Sequence, residues 1–116
     1  MRDETKVRVD VTTEGTTAIV AAHGEIGTHE ATQLGAGVTK AFDARPRRII
    51  VDLAGVPYMA TSGIATLVAA LQRAKKSEVG LIICGVQERV QAVFDISRLT
   101  NFFTIVKTVD DAKARA

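Results

Sequence analysis

The stretch 49-IIVDLAGVPYMATSGIATLVAALQ-72 decides how this chain folds. It opens on a short, densely apolar run of the kind that fills a central strand covered on both faces. It closes on Ile64, Leu67, Val68 and Leu71, spaced i, i+3, i+4, i+7 like one face of an amphipathic helix. Lys75 and Lys76 follow in the expected last turn, where cations complement the helix dipole. Between strand and helix stand two hydroxyls, Thr61 and Ser62, just ahead of Gly63.

Working outward, the chain alternates between the two periods. In "KVRVDVT", Val7, Val9 and Val11 share one side of a strand, with Lys6, Arg8 and Asp10 on the other. "TEG" offers a turn, and "TTAIVAAHG" a second strand, so the link predicts an antiparallel hairpin. From Thr28 the spacing becomes helical, through Ala31, Leu34, Val38 and Ala41. Gly35 and Gly37 weaken that helix by roughly 1 kcal/mol each relative to Ala; their small size allows close approach to the sheet. Arg45-Pro46 breaks the chain before "RRIIVDL". Beyond the central helix, "EVGLIICG" is a buried strand. Val86, Val90, Val93 and Phe94 suggest a short helix, "FFTIV" a final strand, and "TVDDAKARA" a last helix opened by Thr108 or Asp110. The order β β α β α β α β α predicts an α/β fold: a mixed, mostly parallel sheet opened by a hairpin, with helices packed on it.

With 116 residues, the chain suits one domain spanning 1–116, with about 5–112 as its folded part. Apolar residues make up 47% of it, which excludes global disorder. With no Trp, one Tyr and four Phe, the core must be aliphatic. The net charge of +2 is scattered, with short basic clusters only at Arg45 to Arg48 and Arg73 to Lys76, read as solvated element ends. Without a concentrated basic face or stacking aromatics, nucleic-acid binding is not expected. The single cysteine, Cys84, excludes an internal disulfide and reads as a buried, inert thiol. No signal-peptide core and no membrane-length apolar run are present, so a soluble cytoplasmic domain is expected.

Ser62 occupies the expected N-cap of a helix from Gly63 to Lys76, where its Oγ would accept from the N–H of Ile64 or Ala65. The same position has a second use. A hydroxyl at a helix N-terminus, after the carboxyl end of a central strand, faces the side where partners meet open α/β sheets. A phosphate there would sit near unsatisfied backbone N–H groups and the positive end of the dipole, and would add about −2 of charge to a docking face. Catalysis is not expected. The histidines, His23 and His29, have no spacing that ties them to Ser62, and no G-x-S-x-G elbow surrounds it. His23, Glu25 and His29 match no usual metal-ligand spacing, and no phosphate-cradling glycine motif is present. No cofactor is expected.

The chain "IIVDLAGVPYMATSGIATL" resembles the core signature of STAS domains, specifically bacterial anti-sigma factor antagonists. "GLIICGVQERVQAVFDISRLTNFFTIVKTVDDA" and "AAHGEIGTHEATQL" are similar to the family's remaining segments, in the right order over nearly the whole chain. The resemblance implies a partner-switching regulator of transcription. Unphosphorylated, such a protein binds an anti-sigma factor, usually a serine kinase of the GHKL type, and frees the sigma factor. The kinase phosphorylates it to end the interaction, and a PP2C-like phosphatase resets it; ATP belongs to the kinase. The phosphoacceptor aligns with Ser62, and Thr61 is the second choice. The family's Asp before the hydroxyl pair is Ala60 here, the Asp of its G-E-L-D loop is Gly27, and the glycine of its S/T-G-L segment is Arg98. The alternative is a constitutive STAS scaffold or small-ligand module, stressosome-like or transporter-associated. A free antagonist of this size is expected to be a monomer.

The resulting partner-binding set is Glu25, Thr28, Met59, Ala60, Thr61, Ser62 and Gly63. Thr28 is also a simple N-cap for the first helix. Met59 reads equally as core or as an adaptable contact, and Tyr58 as core with its hydroxyl at the rim. Asp52 is expected to cap the turn at Ala54-Gly55.

Overall fold

The structure is a computed structural model that describes residues 7–115; Lys6 and the outer ends of the expected domain lie outside the described residues. The hairpin forms as the alternating pattern requires. Strand β1 (Arg8–Glu14) pairs antiparallel with β2 (Thr17–His23) across a turn at Gly15 and Thr16, where Gly15 takes the left-handed φ of 60°. The chain then runs through α1 (Ala31–Asp43), β3 (Arg48–Gly55), α2 (Thr61–Ser77), β4 (Gly80–Cys84) and α3 (Glu88–Ile96). A 3₁₀ turn at Thr100–Phe102 precedes β5 (Thr104–Val106) and α4 (Val109–Ala114).

The five strands lie in the order β1-β2-β3-β4-β5, with every pair after the hairpin parallel. Each right-handed crossover from β2 onward advances in the same direction, so its helix falls on the same face of the sheet. Accordingly, α1, α2 and α3 bury Leu34, Val38, Leu67, Val90 and Phe94 against Val20, Val51 and Ile83. The opposite face carries Ile19, Ile50, Ile82 and Cys84, covered by α4 through Ala112. Gly37 is where α1 lies closest to the sheet: a Cβ there would fall 2.5 Å from Val9 Cγ1. Gly35 faces α2 instead, with Thr66 Cγ2 at 3.6 Å from the equivalent point.

Several local boundaries differ from expectation. α1 starts at Ala31 with Glu30 as its N-cap residue, not at Thr28. The Glu30 carboxylate reaches back to accept from the Gly27 N–H at 3.0 Å, which fixes the turn and leaves Thr28 exposed outside the helix. Val86 lies in the loop before α3, and "FFTIV" divides into a 3₁₀ turn and a three-residue strand. At the last helix the capping expectation holds: Thr108 Oγ1 accepts from the Asp111 N–H at 3.0 Å.

Candidate functional site

Because β2, β3 and β4 are parallel, the loops that follow them gather at one edge of the sheet. Backbone bonds stitch the first two together. Ile26 N–H donates to Tyr58 O at 3.0 Å, Ala60 N–H to Ile26 O at 2.7 Å, and Gly24 N–H to Gly55 O at 2.9 Å. The result is an isolated parallel bridge between Ile26 and Met59, both fully buried. Asp52 Oδ1 accepts from the Ala54 N–H at 3.0 Å, the turn-capping role expected of it. The third loop joins through Gln87, whose Nε2 donates to Ala54 O at 2.7 Å.

This stitching sets where α2 begins. With Ala60 bonded to Ile26, its own carbonyl accepts from the N–H groups of Gly63 and Ile64, at 2.9 and 3.3 Å. Ala60 is therefore the N-cap residue and Thr61 the first helical residue. Ser62 is not the N-cap: it is the second residue of the helix, and its hydroxyl makes no capping bond. Among the described residues, Ser62 Oγ is the buried side-chain polar atom without a hydrogen-bond partner. Such an orphan costs about 1–3 kcal/mol, so capping does not account for a serine here. The Ser62 carbonyl is engaged separately, accepting from Thr66 Oγ1 at 3.0 Å. The N–H groups of Thr61 and Ser62 lie ahead of any intrahelical acceptor, at the positive end of a 17-residue helix.

The candidate residues divide clearly. Glu25, Thr28 and Thr61 are exposed around the helix start, Ala60 and Ser62 are half-buried, and Gly63 and Met59 are buried. Met59 is core: its thioether lies under Gly63, where a Cβ would fall 2.5 Å from Met59 Cγ. Tyr58 is not core but 37% exposed, with the Arg89 guanidinium 5.4 Å from its ring centroid. Arg89 and Gln87 were not legible in the local pattern. The parallel order of the strands is the signal for them, since it brings the β4–α3 loop to the same edge. The strand order never reverses, but α3 and α4 leave β4 and β5 toward opposite faces. An open cleft of about 270 Å³, lined by Gly85, Val86, Gln91, Ile105, Val106 and Lys107, lies between those strand ends. Among the described residues, no group of three His, Cys, Asp or Glu side chains is gathered to hold a metal, and His23, Glu25 and His29 form none. Nor is any helix there long and apolar enough to cross a membrane.

A sequential five-stranded sheet with three crossover helices on one face and a short helix on the other defines a class, and family comparison names it. Residues 8–112 match the STAS domain model, and the chain belongs to the STAS domain family. It is 24% identical over 96 residues to BtrV of Bordetella bronchiseptica, provisionally described as an anti-sigma factor antagonist, covering 83% of each chain. The fold is similar to that of an anti-sigma factor antagonist from Mycobacterium paratuberculosis, with a TM-score of 0.86, 21% identity, and coverage of 95% of this chain and 93% of that one. It is also similar to unphosphorylated SpoIIAA, with a TM-score of 0.77, 18% identity, and coverage of 91% and 93%. Phosphorylated SpoIIAA of Bacillus matches with a TM-score of 0.70, 18% identity, and coverage of 91% and 96%.

Proposed function

We propose that this chain is an anti-sigma factor antagonist whose docking face is the three-loop edge around the start of α2. Ser62 is its switch. The observation that carries this reading is the Ser62 hydroxyl itself, which lies in the first turn of α2 with no cap and no other partner among the described residues. The resemblance to anti-sigma factor antagonists supports the same reading, as does the existence of SpoIIAA in both phosphorylated and unphosphorylated forms. The partner is an anti-sigma factor of the GHKL serine-kinase type, which supplies ATP and phosphorylates Ser62. A PP2C-like phosphatase removes the phosphate.

In such a switch, phosphorylation requires the shielded Oγ to turn out to the kinase by rotation about the Ser62 Cα–Cβ bond. The transferred phosphate then meets the N–H groups of Thr61 and Ser62 and the helix dipole, which stabilise it without rearranging the core. Added charge and bulk at the centre of the face oppose redocking of the partner. Thr61, exposed one residue earlier, is the second acceptor position.

Binding of the purified kinase-type anti-sigma factor to wild type, Ser62→Ala and Ser62→Asp tests the reading. Wild type and Ser62→Ala are expected to bind, and Ser62→Asp to lose binding while keeping its fold. Equal binding by Ser62→Asp removes the switch. Peptide mass spectrometry of protein from its own cells, with and without stress, locates the phosphate. Its absence in both conditions favours the second reading, a constitutive binding module. Ala60, which offers no carboxylate beside the hydroxyls, points the same way.

A further inference from the structure

Among the described residues, β1 forms one edge of the sheet, and its seven residues pair with β2 without a break from Arg8 opposite His23 to Glu14 opposite Thr17. Edge strands are usually kept short, bulged or interrupted by proline, because their free backbone groups template pairing with another chain. At the other edge, β5 is three residues long. β1 carries neither a bulge nor a proline. Charged side chains on an edge also deter pairing, unless their signs match those of the incoming strand.

The hairpin fixes which groups face outward. Its two-residue turn closes on Glu14 and Thr17, a pair that exchanges backbone hydrogen bonds. Counting back by twos, Thr12, Asp10 and Arg8 also point their N–H and C=O groups at β2. Those of Val9, Val11 and Thr13 therefore point away from the sheet. Side chains alternate likewise. Val9 and Val11 lie on the α1 side, beside Gly37, while Arg8, Asp10, Thr12 and Glu14 are exposed on the other.

We propose that β1 pairs antiparallel with β1 of a second copy of this chain, about a two-fold axis at Val11. Val11 then faces its own symmetry mate and Val9 faces Thr13, each pair exchanging backbone hydrogen bonds. Arg8 falls directly opposite Glu14 of the second copy, at a non-hydrogen-bonded position, where side chains come closest. Charge selects this register. Centring the pair on Asp10 would set Asp10 against its own copy, and centring it on Thr12 would set Asp10 against Glu14; both repel. Arg8 Nε already holds Asp10 at 3.0 Å, and Glu14 Oε1 holds Lys113 at 2.8 Å. A guanidinium has donors for both carboxylates, and Glu14 has a second oxygen to offer. One strand pair is a small contact beside the ~1,200 Å² of a stable interface, so the dimer forms at high concentration and the monomer is the dilute form. The pairing does not depend on the Ser62 switch.

Sedimentation velocity of the full chain from about 10 µM to 1 mM tests it. Wild type is expected to shift toward the dimer as concentration rises. The outward amides of Val9, Val11 and Thr13 should exchange more slowly in the concentrated sample. Arg8→Glu and Glu14→Arg should each weaken dimerisation about tenfold or more, since both cross-strand ion pairs become repulsive. An equimolar mixture of the two variants should dimerise again, because one strand then carries carboxylates at both positions and the other guanidinium groups. Thr13→Pro should weaken the dimer without changing charge. The N–H it removes faces away from β2, so the hairpin survives, and the amide spectrum verifies the fold. Lys107→Glu makes the same charge change as Arg8→Glu at an exposed residue just after β5, and should dimerise as wild type. A monomer at every concentration overturns the proposal. So does a dimer that Thr13→Pro leaves intact, or a mixture that stays monomeric. Equal weakening by Lys107→Glu also overturns it, since net charge alone would then govern the association.

Discussion

Replacing Gly63 by Ala probes the contact that fixes the start of α2. A Cβ at this position would lie 2.5 Å from Met59 Cγ, 2.9 Å from Met59 Sδ and 3.3 Å from Ile26 Cγ2. Met59 and Ile26 are fully buried and joined by the backbone bridge, so neither side chain has free space to retreat into. Overpacking of this kind costs about 1–3 kcal/mol. Against it stands the helix preference for Ala over Gly, at most about 1 kcal/mol. The clash wins, and Gly63→Ala should destabilise the protein by about 1 kcal/mol, lowering Tm by roughly 4 °C. The sign should reverse once the obstacle is removed. Met59→Ala alone costs about 2–5 kcal/mol through the cavity it leaves. In that background Gly63→Ala fills space and favours the helix, so it should stabilise by about 0.5–1 kcal/mol. The coupling of about 2 kcal/mol lies within the range for residues in direct contact. Urea unfolding of the four proteins measures it, read from midpoints at unchanged m-values. The same effect of Gly63→Ala in both backgrounds would refute the reasoning, as would stabilisation of the wild type.

Cys84 is buried, and its thiol pKa is pushed from 9.0 to about 12, first by burial and then by the neighbouring Asp52 carboxylate. Between those values the unfolded chain has lost a proton that the folded chain keeps. Stability should therefore fall with rising pH there, by up to about 1.4 kcal/mol per unit from this group. Urea midpoints for wild type and Cys84→Ala should diverge above pH ~9; parallel curves would exclude the effect. Thr108→Ala removes the side-chain cap of α4 and should cost about 1 kcal/mol, seen as faster amide exchange in Val109–Ala114. Arg98 is held at a left-handed φ of 60°. Arg98→Gly should relieve that strain and raise stability by about 0.5–1 kcal/mol, after allowing for the greater freedom of Gly when unfolded; thermal melting reads the change.

The sequence by itself determined the element order, the hairpin and the faces that are buried. Each follows from a repeat of two or 3.6 residues, and that information is complete within a short segment. Leu34, Val38, Leu67 and Phe94 could be placed in the core because neighbours in the chain share the burden of covering the sheet. The Thr108 cap and the Asp52 turn were legible for the same reason, since each partner lies within three residues. Tertiary structure alone decided the start of α2. The Ala60 N–H is satisfied by Ile26, thirty-four residues earlier in the chain (60 − 26), and that bond moves the N-cap from Ser62 to Ala60. It also decided that Ser62 Oγ has no partner among the described residues and that Tyr58 lies at the surface with Arg89. These features depend on hydrogen bonds and charges brought together by parallel crossovers, and no local periodicity carries that information.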